Sequence, residues 1–203
     1  ESGTLRASNA PEESDIFIIS VPTPFKENNE PDLSYIEQAA ESISSFLSPD
    51  NLVILESTVP VRATERLVSI LKSNREDLSF PEYKVDGRTS DVNIAHCPER
   101  VLPGNILHEL VHNDRTIGGI TKECSKKAKE FYSSFVEGVC NTTDSRTAEL
   151  SKLVENSFRD VNIAFANELS LIADKLDIDV WDLIEISNFH PRVNILQPGP
   201  GVG

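Results

Sequence analysis

Apolar positions along this chain follow two rhythms. Asp15–Val21 (DIFIISV) and Leu52–Leu55 are short apolar runs stopped by proline or polar corners, and Asn93–Cys97 predicts a third short strand ending in Pro98-Glu99-Arg100. Continuous runs of this length, bounded by turn signals, read as strands buried on both faces, as in a parallel sheet. Arg115–Gly118 and Val139–Thr142 predict a fourth and fifth strand, and Thr4–Ala7 a further one near the start. Between them the spacing becomes helical. Ile36, Ala39, Ala40, Ile43 and Leu47 make one stripe, with Ser34 and Glu37 at capping-box spacing. Helices are also predicted over Ala63–Lys72, Ile106–His112 and from a Thr121 cap to Phe135. Strands alternating with helices predict βα units and a mostly parallel sheet. Ligands of such sheets lie beyond the carboxyl ends of the strands. That rule gathers Pro22-Thr23-Pro24, Ser57-Thr58 and Pro98-Glu99-Arg100 on one rim.

Ser145–Lys175 then runs for about eight turns without proline or glycine. Ser145 or Thr147 can cap it. Leu150, Leu153, Val154, Phe158, Val161, Ala164, Phe165, Leu169 and Ile172 recur at helical spacing and predict a core on more than one side. Lys152, Asn156 and Arg159 fall at i, i+4 and i+7 and share a face. Such a face is either a solvated stripe or the polar wall of a site that binds an anion and transfers protons. A short amphipathic helix, Asp179–Asn188, leads to a proline-restricted loop carrying His190 and Arg192. That loop suits phosphate or sugar contacts, or is an exposed loop with incidental charges.

Composition narrows the choice. With 203 residues, 38% hydrophobic and 26% charged, the chain reads as soluble and globular, one large domain or one and a part. No apolar run approaches the roughly 20 residues that span a bilayer, and the opening segment has no signal-peptide pattern. A net charge of −14 argues against nucleic-acid or membrane-surface partners, but leaves room for an anionic small molecule held by a few converging cations. Cys97, Cys124 and Cys140 lack disulfide or zinc spacing and read as reduced thiols of a cytoplasmic protein. Asp144, Glu149 and Glu155 read as helix-end and surface charges. No GxGxxG dinucleotide fingerprint is present. Both ends read as cut, without a preceding βαβ and with a glycine-rich turn at the finish.

Taken together, VPTPF with PDLSY, LESTVPV, CPERVLPG, the Ser145–Ile172 helix and HPRVNILQPGPGVG resemble the UDP-glucose/GDP-mannose dehydrogenase family. The resemblance implies an α/β fold: a Rossmann-like sheet over 1–143 with its N-terminal part missing. Residues 144–203 then begin an all-α central dimerisation domain, and the C-terminal UDP-binding domain is absent. It implies an NAD-dependent enzyme that oxidises C6 of a UDP-sugar in two hydride transfers through a cysteine-linked intermediate, for surface-polysaccharide precursors. The implied sugar is UDP-N-acetyl-D-mannosamine, with UDP-glucose or UDP-N-acetylglucosamine as alternatives. A non-catalytic binding or oligomerisation module is the alternative from another class. Lys152 and Asn156 match catalytic positions. Arg100, Val101, Lys152, Asn156, Arg159, His190, Arg192 and Gly203 match substrate-binding positions, and Thr23, Thr58 and Glu99 cofactor-binding ones. The nucleophilic cysteine is expected a few residues beyond Gly203, so these residues alone are expected to be inactive. The family also implies a homodimer through the central helix.

Overall fold

The computed structural model describes residues 5–101 and 104–201. They fall into two compact units, Glu1–Ser151 and Lys152–Gly203. The first is a five-stranded sheet of order β1 (Ile16–Ile19), β2 (Leu52–Leu55), β3 (Asn93–His96), β4 (Arg115–Gly119) and β5 (Cys140–Asp144). β1, β2 and β3 pair in parallel, as do β4 and β5, while β3 and β4 are antiparallel. The mostly parallel α/β sheet read from the sequence is thus present, with one reversal at its middle. As a result, the carboxyl ends of β1–β3 lie on one edge and those of β4 and β5 on the other.

Period-two alternation sorts the core into two layers. Val53 and Leu55 of β2 join Phe17, Ile19 and Ile94 under α1 (Ser34–Ser44) and α2 (Ala63–Asn74). Leu52 and Ile54 join Ala95, Cys97 and Ile117 under α4 (Lys122–Tyr132), which follows the short α3 (Ile106–His112). α4 packs so close to β4 that a Cβ on Gly119 would sit 2.3 Å from the Ser125 amide nitrogen. Only glycine fits there.

Several local expectations change. Residues 5–7 are not strand, and Thr4 lies outside the described residues. Ser34 is the first residue of α1 rather than its cap, which is Leu33, and the Asp32 carboxylate accepts the Ser34 amide at 3.0 Å. Thr121 caps α4 as expected, accepting from the Cys124 amide. At the start of the long helix α5 (Ser145–Lys175), the cap is Asp144, which accepts from the Thr147 amide at 3.1 Å and its hydroxyl at 3.0 Å. The Ser145 hydroxyl is buried without a hydrogen bond among the described residues. Asp144 also takes the Tyr83 hydroxyl at 2.8 Å and pairs with Lys84. Burial works against its charge, but these bonds outweigh it and hold the carboxyl down at about 2.

Glu149 departs most from its surface reading. It is fully buried, and its carboxylate accepts from the Arg62 amide at 2.6 Å, the Thr64 amide at 2.7 Å and the Thr64 hydroxyl at 2.6 Å. Arg62 sits in the left-handed region at φ 80° and precedes α2 without a side-chain cap of its own. A carboxylate from α5 therefore performs the N-capping that the local sequence of α2 does not. Arg146, one turn earlier, pairs in bidentate fashion with Glu65 at 2.6 and 2.9 Å.

The second unit holds most of α5 and α6 (Val180–Asn188). Asp179 caps α6 through the Trp181 amide. The chain beyond α6 is pinned by two asparagines, each bonding both backbone groups of one residue: Asn188 to Ile195 and Asn167 to Gly199. Among the described residues, the predicted core around α5 is not found. Ala166 and Ala173 are buried, whereas Leu150, Val154, Phe158, Val161, Phe165 and Ile172 are all more than half exposed.

Candidate active site

The rim of β1–β3 is rigid because its corners bond to each other. The Ser57 hydroxyl donates to the Val21 carbonyl at 2.7 Å and accepts the Val21 amide at 2.8 Å. The Thr23 hydroxyl donates to the Thr58 carbonyl at 2.7 Å. Thr23 and Thr58 are therefore brought together at adjacent strand ends. Thr58 itself is half-buried at this rim. Threonine hydroxyls at adjacent strand ends fit the ribose or phosphate oxygens of a dinucleotide, so these residues suit NAD. The third corner is held by Glu99, whose Oε1 accepts the amides of Arg100 at 2.5 Å and Val101 at 2.6 Å. All three of these residues are half-buried.

Behind this rim lies a polar cluster that the sequence did not single out. Glu56 follows β2 and is adjacent to Glu99, whose amide donates to the Glu56 carbonyl at 3.3 Å. The Tyr132 hydroxyl on α4 donates to Glu56 Oε1 at 2.6 Å. Arg115 of β4 is buried, lies over the Tyr132 ring, and places Nη1 3.8 Å from Glu99 Oε2. Burial raises the Glu56 carboxyl, with the Glu99 charge adding to it and Tyr132 and Arg115 only partly opposing. Burial also pushes the Cys97 thiol up to about 12, so it is no nucleophile. His96 is fully buried and neither ring nitrogen completes a hydrogen bond. Burial takes it down to about 4 against a weak pull from the Leu55 carbonyl, so the ring is neutral. The available signal was an acid closing an apolar run at Glu56, which alone does not reveal its distant partners.

In the second unit, Lys152, Asn156 and Arg159 do share one face of α5, the first two half-buried and Arg159 exposed. His190 and Arg192 are exposed and adjacent, the Arg192 amide donating to His190 Nδ1 at 3.3 Å. Gly203 lies outside the described residues. A cavity of about 800 Å³ is lined by none of these positions. It opens at the other edge of the first unit, by the ends of β4 and β5, where Asp86 already takes the Lys122 amide and Thr121 caps α4. Among the described residues, no metal-binding cluster exists and no helix is long and apolar enough to cross a membrane.

A parallel βα sheet with hydroxyls and carboxylates gathered at its carboxyl rim defines a nucleotide-binding α/β domain. Residues 1–136 match the NAD binding domain of the UDP-glucose/GDP-mannose dehydrogenase family, and 146–203 match its central domain. The chain belongs to that family. It is 60% identical over 203 residues to a UDP-N-acetyl-D-mannosamine dehydrogenase of Escherichia coli, covering 100% of this chain and 48% of the relative. It is equally 60% identical, over 201 residues, to an NDP-N-acetyl-D-galactosaminuronic acid dehydrogenase of Ralstonia nicotianae, covering 99% of this chain and 47% of the relative. A solved UDP-N-acetyl-mannosamine dehydrogenase from Staphylococcus aureus superposes with a TM-score of 0.84 at 50% identity, covering 100% of this chain and 47% of that one. The chain spans about half the length of the curated relatives it matches.

Proposed function

We propose that this chain serves an NAD-dependent UDP-sugar 6-dehydrogenase that converts UDP-N-acetyl-D-mannosamine to UDP-N-acetyl-D-mannosaminuronate for surface-polysaccharide precursors. The observation that carries this reading is the Lys152–Asn156–Arg159 face of α5, in a chain 60% identical to a UDP-N-acetyl-D-mannosamine dehydrogenase. In this reading, residues 1–143 are the latter part of the NAD-binding domain and 144–203 open the central domain. Thr23, Thr58 and Glu99 meet NAD, which supplies the hydride acceptor. Lys152 transfers the proton of the sugar hydroxyl, or stabilises the oxyanion of the tetrahedral intermediates, and Asn156 donates to that oxygen. Arg100, Val101, Arg159, His190, Arg192 and Gly203 hold the diphosphate and sugar, with planar guanidinium forks matching phosphate oxygens. The covalent step needs an accessible thiolate. In this reading the nucleophile is another cysteine of the full-length enzyme, which accords with Cys97, Cys124 and Cys140 being free but buried. The free thiols accord with a cytoplasmic location.

A second reading, a nucleotide sugar of the N-acetylgalactosamine series, is favoured by the Ralstonia relative at the same identity. Initial rates of NADH formation by the full-length enzyme should separate the candidates. UDP-N-acetyl-D-mannosamine is expected to lead in kcat/KM by at least about tenfold, the worth of one well-placed contact. A lead for the galactosamine series would install the second reading, and a lead for UDP-glucose would overturn both. No NADH from any UDP-sugar would favour a non-catalytic module.

The homodimer rests on a different feature. Val154, Phe158, Val161, Phe165 and Ile172 follow the 3–4 spacing of a helix–helix seam and stay exposed, Val161 at 69%. Such a stripe is covered by the same helix of a second copy. Val161→Glu in the full-length enzyme should halve the mass measured by light scattering. An unchanged mass would place the dimer contact elsewhere.

A further inference from the structure

Two carboxylates, Glu56 and Glu99, stand at neighbouring strand ends, and only Glu99 has a role in the reading above. Their shared surroundings come from three other elements. Tyr132 on α4 donates to Glu56 at 2.6 Å. Arg115 on β4 is 3% exposed, gives Nη2 to the Leu110 carbonyl at 3.2 Å, and leaves Nε and Nη1 without a hydrogen bond. Its nearest acid is Glu99, at 3.8 Å. Cys97 at the end of β3 completes the group, facing both Tyr132 and Arg115 as a neutral thiol. A buried, half-satisfied guanidinium beside Glu99, lying over the ring of the tyrosine that bonds Glu56 and within electrostatic reach of that acid, is a shared resource, and each acid's hold on it depends on the charge of the other.

We propose that Glu56 is a positioning residue for Glu99, its charge state deciding how firmly Glu99 is held at the cofactor rim through the shared Arg115. The proposal rests on the reading that Glu99 works at that rim. While Glu56 keeps its proton, Glu99 has Arg115 to itself, and Oε1 stays on the Arg100 and Val101 amides. Once Glu56 ionises, a second negative charge repels Glu99 and competes for Arg115. Burial and the Glu99 charge move that ionisation upward from the ordinary glutamate value, while Tyr132 and Arg115 restrain it. Firm placement of Glu99 therefore belongs to the lower-pH side and weakens as pH rises through the Glu56 titration.

The test is the pH profile of kcat/KM for NAD in the full-length enzyme. Wild type should show a decline of about three- to tenfold across one ionisation, the size of effect two nearby carboxylates exert on each other. Glu56→Gln, which fixes the side chain neutral at nearly the same shape, should lose that inflection and keep the low-pH plateau. Tyr132→Phe removes a bond that favours the ionised form and should move the inflection up by about one pH unit. It also serves where the glutamine variant folds poorly. An inflection unchanged in both variants overturns the proposal. Glu99→Gln distinguishes the layers: if it costs activity while Glu56→Gln keeps the wild-type profile, the proposal alone fails. If Glu99→Gln changes neither kcat nor KM, the role of Glu99 falls and the proposal with it.

Discussion

Lys152→Ala in the full-length enzyme should lower kcat by about a hundred- to ten-thousandfold, the range a positioned acid–base group supplies. The thermal midpoint should move by no more than about 2 °C. The asymmetry follows from the placement of Lys152, a half-buried side chain that shares its helix face with Asn156 and Arg159 and lies outside both hydrophobic clusters of the first unit. Lys152→Arg separates the two roles. Arginine keeps the charge but cannot give up a proton. Recovery of most of the rate would assign Lys152 to oxyanion stabilisation, whereas a rate near that of the alanine variant would assign it to proton transfer. A wild-type rate in Lys152→Ala would remove it from the chemistry altogether.

The largest stability effect should come from Glu149. Its carboxylate takes three donors in a fully buried position. Alanine would leave the Arg62 amide and both Thr64 donors unmatched at the start of α2. Each orphaned buried donor costs about 1–3 kcal/mol, and a lost cap about 1 kcal/mol. Since the donors are neighbours and not additive, a total of about 3–5 kcal/mol is expected, read as a fall of about 10 °C in midpoint. Glu149→Gln keeps the volume but turns an amide NH2 toward backbone N–H groups, and should recover only part of the loss. A fall below about 2 °C in the alanine variant would show that water replaces the carboxylate at that helix end.

Glu149 also shows where local reading stops. Nothing within a few residues of it distinguishes a surface glutamate from one that caps a helix beginning at Ala63. The signal lies in Arg62 and Thr64, more than 80 positions away in sequence. A separation of 76 positions likewise hid Glu56, whose partner Tyr132 belongs to α4. The cap of α5 was misread for a smaller reason. Ser145 and Asp144 are adjacent and both can cap, and Asp144 does so because Tyr83 and Lys84 already orient its carboxylate. By contrast, Lys152, Asn156 and Arg159 were legible as one face because helical spacing is purely local. So were the Thr23, Thr58 and Glu99 corners, because prolines and polar groups stop apolar runs at strand ends.

The sequence by itself determined the order of β1–β5 and the helices between them, though not the absence of strand at residues 5–7, as well as the parallel character of β1–β3 and the placement of their polar corners on one rim. Apolar runs and helical periods are properties of neighbouring residues, and β2 and β3 are buried on both faces as read, whereas Ile18 leaves one face of β1 46% exposed, against the reading of that run. Only the tertiary structure decided that β4 reverses direction and that Glu149 serves α2. It alone brought Tyr132 to Glu56 and Arg115 to Glu99, and it alone left the Val154–Ile172 stripe of α5 open. Each of these depends on which distant groups satisfy a buried donor, a buried charge or an apolar face, and such partners are chosen by packing rather than by sequence neighbours.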